Sequence, residues 1–318
     1  MLRKFAYNKI FRTTGMLLLF LLLLIFPVSK KYSLEDEITT KTVKTLSKRE
    51  IYLLDKDNYV ARYKINSKYS NDKLKYAKYL IELLIIDGKY QNDIPNGFKA
   101  ILPSDIIIND IKIEDDYIAI DLSDEFYDLK KEYEEKAIEL ITYNLTTLEG
   151  INRVYININK ELLSYLPKSN IHLNQPFTRN DGINKIINLI NYKDVNMTTI
   201  YYINKNKDYY YVPVTRITND KREKIKIIID ELTSSHIYES NLMSFLNYNT
   251  KLIDYKIEDN KLFLNFNNCI YDDMNSKNIL EEVIYSISLS VRDNYNVEEV
   301  VFSVDGNEIT KSVIKNIE

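Results

Sequence analysis

Residues 111–128 read IKIEDDYIAIDLSDEFYD, and residues 255–272 read YKIEDNKLFLNFNNCIYD. At a constant offset of 144, Lys112, Ile113, Glu114, Asp115, Tyr127 and Asp128 stand opposite Lys256, Ile257, Glu258, Asp259, Tyr271 and Asp272. A chain with 27 Tyr, 6 Gly and no Trp among 318 residues matches itself by chance more often than an average one. Identity alone therefore does not establish duplication, whereas preserved order and helical phase of whole elements do.

From Glu50 the chain reads as such a unit. IYLLD and YVARYKI flank a turn at Lys56, Asp57 and Asn58, which predicts a hairpin. NDKLKYAKYLIELLIIDG places Ala77, Leu80, Ile81 and Leu84 on one helical face, with Asp72 as N-cap and Gly88 as the stop. A loop carrying Pro95, Gly97 and Pro103 follows. IIINDIKI and YIAIDL are two strands around the acidic turn Glu114, Asp115 and Asp116. A long helix capped by Ser123 or Asp124 and ended by Gly150 leads to a last strand, INRVYINI. The predicted order is β-β-α-β-β-α-β.

The second half repeats it. IYYIN (200–204) replays IYLLD, and YYVPVTRI (210–217) replays YVARYKI. Ile225, Ile228, Ile229 and Leu232 take the places of Ala77, Leu80, Ile81 and Leu84. Ile284, Ile287 and Val291 take those of Ile138, Ile141 and Leu145, and VEEVVFSV replays INRVYINI. Two copies are too few for a solenoid. The expectation is an α+β chain of two tandem domains, residues 50–160 and 198–318, joined by a linker over 161–197.

The first 31 residues differ in kind. Arg3, Lys4, Lys9 and Arg12 precede TTGMLLLFLLLLIFPVS, residues 13–29, which carries no charge. As a helix this run spans roughly 25 Å, slightly short of the ~30 Å hydrocarbon core. The exit, FPVSKK, has no A-x-A cleavage pattern, so an uncleaved anchor is favoured over a removed signal peptide. The basic flank predicts a cytoplasmic N-terminus and extracytoplasmic domains, in a single-pass cell-membrane protein. Residues 32–49, polar and without an apolar period, read as a tether.

The segment IPNGFKAILPSDIIINDIKIEDDYIAIDLSDEF, with AIELITYNLTTLEGINRVYININ, resembles the GerMN domain of GerM-type sporulation and germination proteins. The resemblance rests on Pro95 and Gly97, Leu102 and Pro103, Ile120 to Ser123 with Phe126, and Tyr143 to Thr146. The linker stretch PFTRNDGIN, with Arg179 and Asn184, is also similar to the family's post-domain segment. The second copy departs from the pattern: Asn267 replaces Ser123 and no Pro-x-Gly loop remains. No cysteine lies near the apolar run to carry the lipid of lipoprotein relatives.

The resemblance implies a membrane-attached, extracytoplasmic scaffold that helps assemble the complex linking mother cell and forespore. Its small α+β units are comparable to ring-building modules of secretion systems. Partners would be other sporulation envelope proteins or further copies of the chain. The alternative is a cell-envelope ligand-binding or sensor module with a cleft between the repeats.

Composition gives an enzyme little support. With 45% hydrophobic and 28% charged residues and a net charge of −3, nothing favours nucleic acid as a partner. Cys269 alone excludes an internal disulfide and a cysteine zinc site, and it reads as a small buried hydrophobe. His172 and His236 have no ligand-spaced partner. Glu114, Asp115 and Asp116 suit a turn better than a cation site, because the acids recur at the matching turn. Asp121, Ser123 and Asp124 lack a nucleophile elbow, and no two glycines form a phosphate-cradling loop. No catalytic residue, cofactor, metal or small-molecule substrate is expected. KKEYEEK (130–136) reads as a solvated helical face. Tyr209, Tyr210, Tyr211 and Val212 are the candidate interface: a tyrosine-rich strand interrupted by Pro213 reads as a sheet edge.

Overall fold

The computed structural model describes residues 41–43, 50–64, 72–234, 240–275 and 277–314. The predicted anchor over 13–29 and His236 lie outside these residues. Among the described residues no helix is long and apolar enough to cross a membrane.

After β1 (Lys41–Val43), the first repeat runs β2 (Glu50–Asp55), β3 (Val60–Lys64), α1 (Lys73–Glu82), β4 (Phe98–Lys99), β5 (Ile108–Glu114), β6 (Tyr117–Leu122), α2 (Lys131–Leu145), β7 (Arg153–Ile158) and β8 (Glu161–Leu162). The connection carries β9 (Tyr165–Leu166), β10 (Ile171–His172) and β11 (Ile186–Asn188). The second repeat runs β12 (Asn196–Lys205), β13 (Tyr209–Thr218), α3 (Lys224–Thr233), β14 (Leu252–Glu258), β15 (Lys261–Phe266), α4 (Glu281–Asn294), β16 (Glu299–Val304) and β17 (Asn307–Val313).

Each repeat has its own four-stranded unit, β5-β6-β7-β8 and β14-β15-β16-β17, with a parallel pair in the middle. β1 extends the second by pairing in parallel with β17, so residues 41–43 of the expected tether are a strand. The match reaches single residues. A bulge lies between Ile108 and Asp110 in β5, and another between Leu252 and Asp254 in β14, 144 positions on. Ser123 Oγ accepts the Ile107 N–H at 2.8 Å, and Asn267 Oδ1 accepts the Lys251 N–H at 2.9 Å. Asn267 thus keeps the role of Ser123 through a different side chain.

Several helix limits differ from the sequence expectation. Asp72 caps α1 as predicted, its carboxylate accepting from Leu74 N and Lys75 N. However, α1 ends at Glu82 rather than at Gly88, because the Leu84 carbonyl turns to accept from Ile101 and Leu102. The long helix after Ser123 is divided. A 3-10 turn over Asp124–Asp128 buries Phe126, Leu129 takes an extended ψ and is buried, and α2 starts only at Lys131. Ser123 therefore caps no helix through its side chain.

The two repeats are not separate beads. The opening hairpins β2-β3 and β12-β13 join through β3 and β13 into one sheet, ordered β4-β2-β3-β13-β12, with β11 pairing in parallel beside the far end of β13. Arg62 stands opposite Tyr211 across this seam. Within the hairpins, Tyr52 pairs with Arg62 and Tyr201 with Pro213, which makes Arg62 the counterpart of Pro213 and Val60 that of Tyr211. Continuing the antiparallel register from Arg62 and Tyr211 puts Val60 opposite Pro213 and Ala61 opposite its own counterpart, Val212. Equivalent residues meeting each other mark a two-fold axis, as at an isologous dimer interface. Two apolar cores result, and Tyr63 and Phe98 pack against both.

Candidate functional site

β13 is an interior strand, contrary to the expected edge, since it pairs with β12 on one side and with β3 and then β11 on the other. Pro213 is tolerated because it falls where that second side changes partner. The Asn184 side chain fills the gap, accepting from Val60 N at 2.9 Å and donating to Val60 O and Pro213 O at 2.8 and 2.7 Å. A proline that cannot donate and an amide that does both thus complete one ladder. Tyr210 and Val212 point into the core, the Tyr210 hydroxyl donating to Asp55 Oδ2 at 2.9 Å, while Tyr209 is exposed.

Behind the seam lies a buried cluster of charges and phenols. Glu50 from β2 accepts from Arg62 Nη2 at 2.6 Å and from Arg292 Nη1, on α4, at 3.1 and 3.0 Å. Asp293 accepts from Arg179 Nη1 at 3.0 Å and from the Tyr201 hydroxyl at 2.6 Å. The Tyr52 and Tyr201 hydroxyls are 3.0 Å apart, again counterparts in contact across the axis. Arg292 Nη2 donates to both, at 3.2 and 3.4 Å. Arg179 stacks over Tyr52 and Tyr143 at 5.3 and 4.7 Å, and its Nε donates to Thr146 Oγ1.

Three guanidiniums face two carboxylates here, so phenol oxygens and ring faces complete the cations' environment. Burial alone would raise the Glu50 carboxyl, but Arg292 and Arg62 outweigh it and hold Glu50 well below the usual carboxylate range. Burial, with Asp293 nearby, pushes the Tyr143 and Tyr201 phenols far up, so both remain neutral donors. A charge network of this kind is costly to break. Joining the repeats is what its geometry accomplishes.

On the solvent side of the same seam is a groove of 310 Å³. Its walls carry Tyr63, Tyr209, Tyr210, Tyr211 and Tyr285, the carboxylates Asp208, Glu281 and Glu282, and Arg62 and Lys64. Tyr209, Tyr210 and Tyr211 from the expected interface thus line this groove, although Val212 does not.

The remaining sequence candidates lie outside both the charge cluster and this groove. Asp115 takes a positive φ at the β5-β6 turn, as Asp259 does at the β14-β15 turn, and Asp116 pairs with Arg153. Asp121 accepts the Lys160 N–H. His172 is exposed beside the Tyr165 ring, and Cys269 is only half-buried, in a 3-10 turn. No group of His, Cys, Asp or Glu suited to a metal occurs among the described residues. The charged run of α2 is not wholly solvated: Glu134 is buried and accepts from Lys168 N and Ser169 N, tying the connection down.

The sequence does not single out Glu50, Arg62, Arg292 and Asp293, because nothing local marks charged residues whose partners lie as far as 114 and 242 positions away. One signal was present: Tyr52 and Tyr201 occupy the same place in IYLLD and IYYIN.

Comparison with known proteins agrees with this architecture. A family model described as Germane, sporulation and spore germination, matches residues 50–164 and 199–310. The spore germination protein GerM of Bacillus subtilis is 35% identical over 289 residues, covering 87% of this chain and 77% of that protein. The solved tandem GerMN domains of the B. subtilis sporulation protein GerM superpose with a TM-score of 0.74 at 31% identity, covering 83% of this chain and 93% of theirs.

Proposed function

Because this chain belongs to the Germane family of sporulation and spore germination proteins, we propose that it is a non-catalytic scaffold of endospore formation, anchored by residues 13–29 and presenting its tandem domains outside the cytoplasm. There it binds subunits of the channel between mother cell and forespore. The observation that carries this reading is the seam: one sheet and one buried charge cluster fix the two repeats into a body with a single composite surface. Tyrosines on that surface suit a protein partner, having large area and a polar end.

The groove between the repeats, walled by phenols and carboxylates, favours a second reading, in which the same body holds a small envelope ligand.

Complementation tests the first reading. The chain, fused after Glu318 to a fluorescent protein, is expressed in B. subtilis lacking GerM and imaged through sporulation. Restored spores and signal enriched around the forespore are expected. Uniform signal in growing cells without rescue would contradict the scaffold role.

A further inference from the structure

A second cavity, of 230 Å³, lies between α2 and the segment connecting the repeats. α2 contributes Glu135, Ile138, Glu139, Thr142 and Tyr143, the i, i+3, i+4, i+7, i+8 stripe of one helical face. Across from it stand Leu166, Ile171, Leu173 and Phe177, with Asp181 and Lys185 at the rim. The floor is apolar: Ile138, Leu166 and Phe177 are buried.

The volume falls below the ~300 Å³ at which pockets for drug-sized ligands begin, and is on the scale of one bulky side chain. Two further features narrow the occupant. Thr142 is 3% exposed, and its Oγ1 has no hydrogen-bond partner. A buried hydroxyl in that state carries a desolvation cost that an incoming polar atom would relieve. At the exposed opening Glu135 and Asp181 outnumber Lys185, whereas Glu139 is buried and paired with Lys136. The Glu135 to Lys185 pair, at 3.5 Å, lies at the surface and is easily exchanged.

From this we propose that the cavity is a docking site for a tyrosine side chain of a partner protein, flanked in the partner by Lys or Arg. The ring fills the apolar floor, the phenol satisfies Thr142, and the basic neighbours meet the carboxylate rim. This rests on the protein-binding reading above and names the chemistry of the partner segment.

The test uses purified full chain and a displayed library of random twelve-residue peptides. The selected peptides are expected to carry Tyr next to Lys or Arg, and to lose at least tenfold in affinity on Leu173→Trp, which fills the cavity, and on the surface change Glu135→Lys. Replacing the peptide's Tyr by Phe should weaken binding about fivefold on the wild type and leave it unchanged on Thr142→Val. Peptides without that pattern, peptides indifferent to both Leu173→Trp and Glu135→Lys, or an empty selection would overturn the proposal. The complementation result above is independent of this binding assay, so a failed selection leaves the scaffold role standing.

Discussion

Glu50 and Glu139 are both buried carboxylates, and their surroundings drive them in opposite directions. Glu50 sits between Arg292 and Arg62 and is held well below the ordinary range. Its contribution to stability is therefore present above the unfolded value of about 4.3 and is lost as pH falls toward the lower folded value. Glu139 is raised, because burial outweighs the help of Lys136. Its ionised form at neutral pH is thus a cost, relieved as pH falls through the raised value. Glu50→Gln should cost about 3–5 kcal/mol at pH 7, since two buried guanidiniums lose their partner. That difference from wild type should begin to shrink below about pH 4 yet remain largely present at about pH 3, because folded Glu50 stays ionised until pH reaches its lowered value. Glu139→Gln, which keeps an acceptor for the Asn184 N–H, should change stability by less than about 1 kcal/mol at pH 7. Urea denaturation at both pH values reads all of these. Comparable losses for the two variants at pH 7 would contradict the assignment.

At the scale of elements, the duplication carries geometry that residue identity conceals. Ser123 and Asn267 look like divergence, yet each holds the amide 16 residues upstream and opposes the same bulge. Ser123→Asn should therefore be nearly neutral, while Ser123→Ala should cost about 1–2 kcal/mol by orphaning the Ile107 N–H. A thermal melt of each variant distinguishes them; equal losses would mean that the shared role is incidental. The periodic patterns made the hairpins, the four helices of the described residues and the strands around the acidic turns legible in the sequence. The end of α1 and the break before α2 were not, because both are set by contacts with other parts of the chain: Leu84 O turning to Ile101 and Leu102, and Leu129 burying its side chain. The same limit misplaced Pro213. A proline in a strand signals a missing donor, which at the partner change of β13 resembles an edge but lies inside a sheet.

For the molecule as a whole, the two-fold arrangement means that the halves stabilise each other as partners in a dimer do. The tyrosine counterparts Tyr52 and Tyr201, and Asp55 with Asn204, meet at the axis. Arg292 from the second repeat supports Glu50 of the first. Tandem repetition was readable from the sequence, but the join was not, because the residues that make it are scattered over β2, β3, the connection and α4. A body fused in this way should open as one unit rather than as two. The most direct measurement is amide hydrogen exchange of the full chain, with and without Arg292→Ala. The account predicts that this change in α4 speeds exchange in β2 and β3 of the first repeat as well as in β12 and β13 of the second. Faster exchange confined to the second repeat, with β2 and β3 as protected as before, would contradict the claim that the repeats form one body.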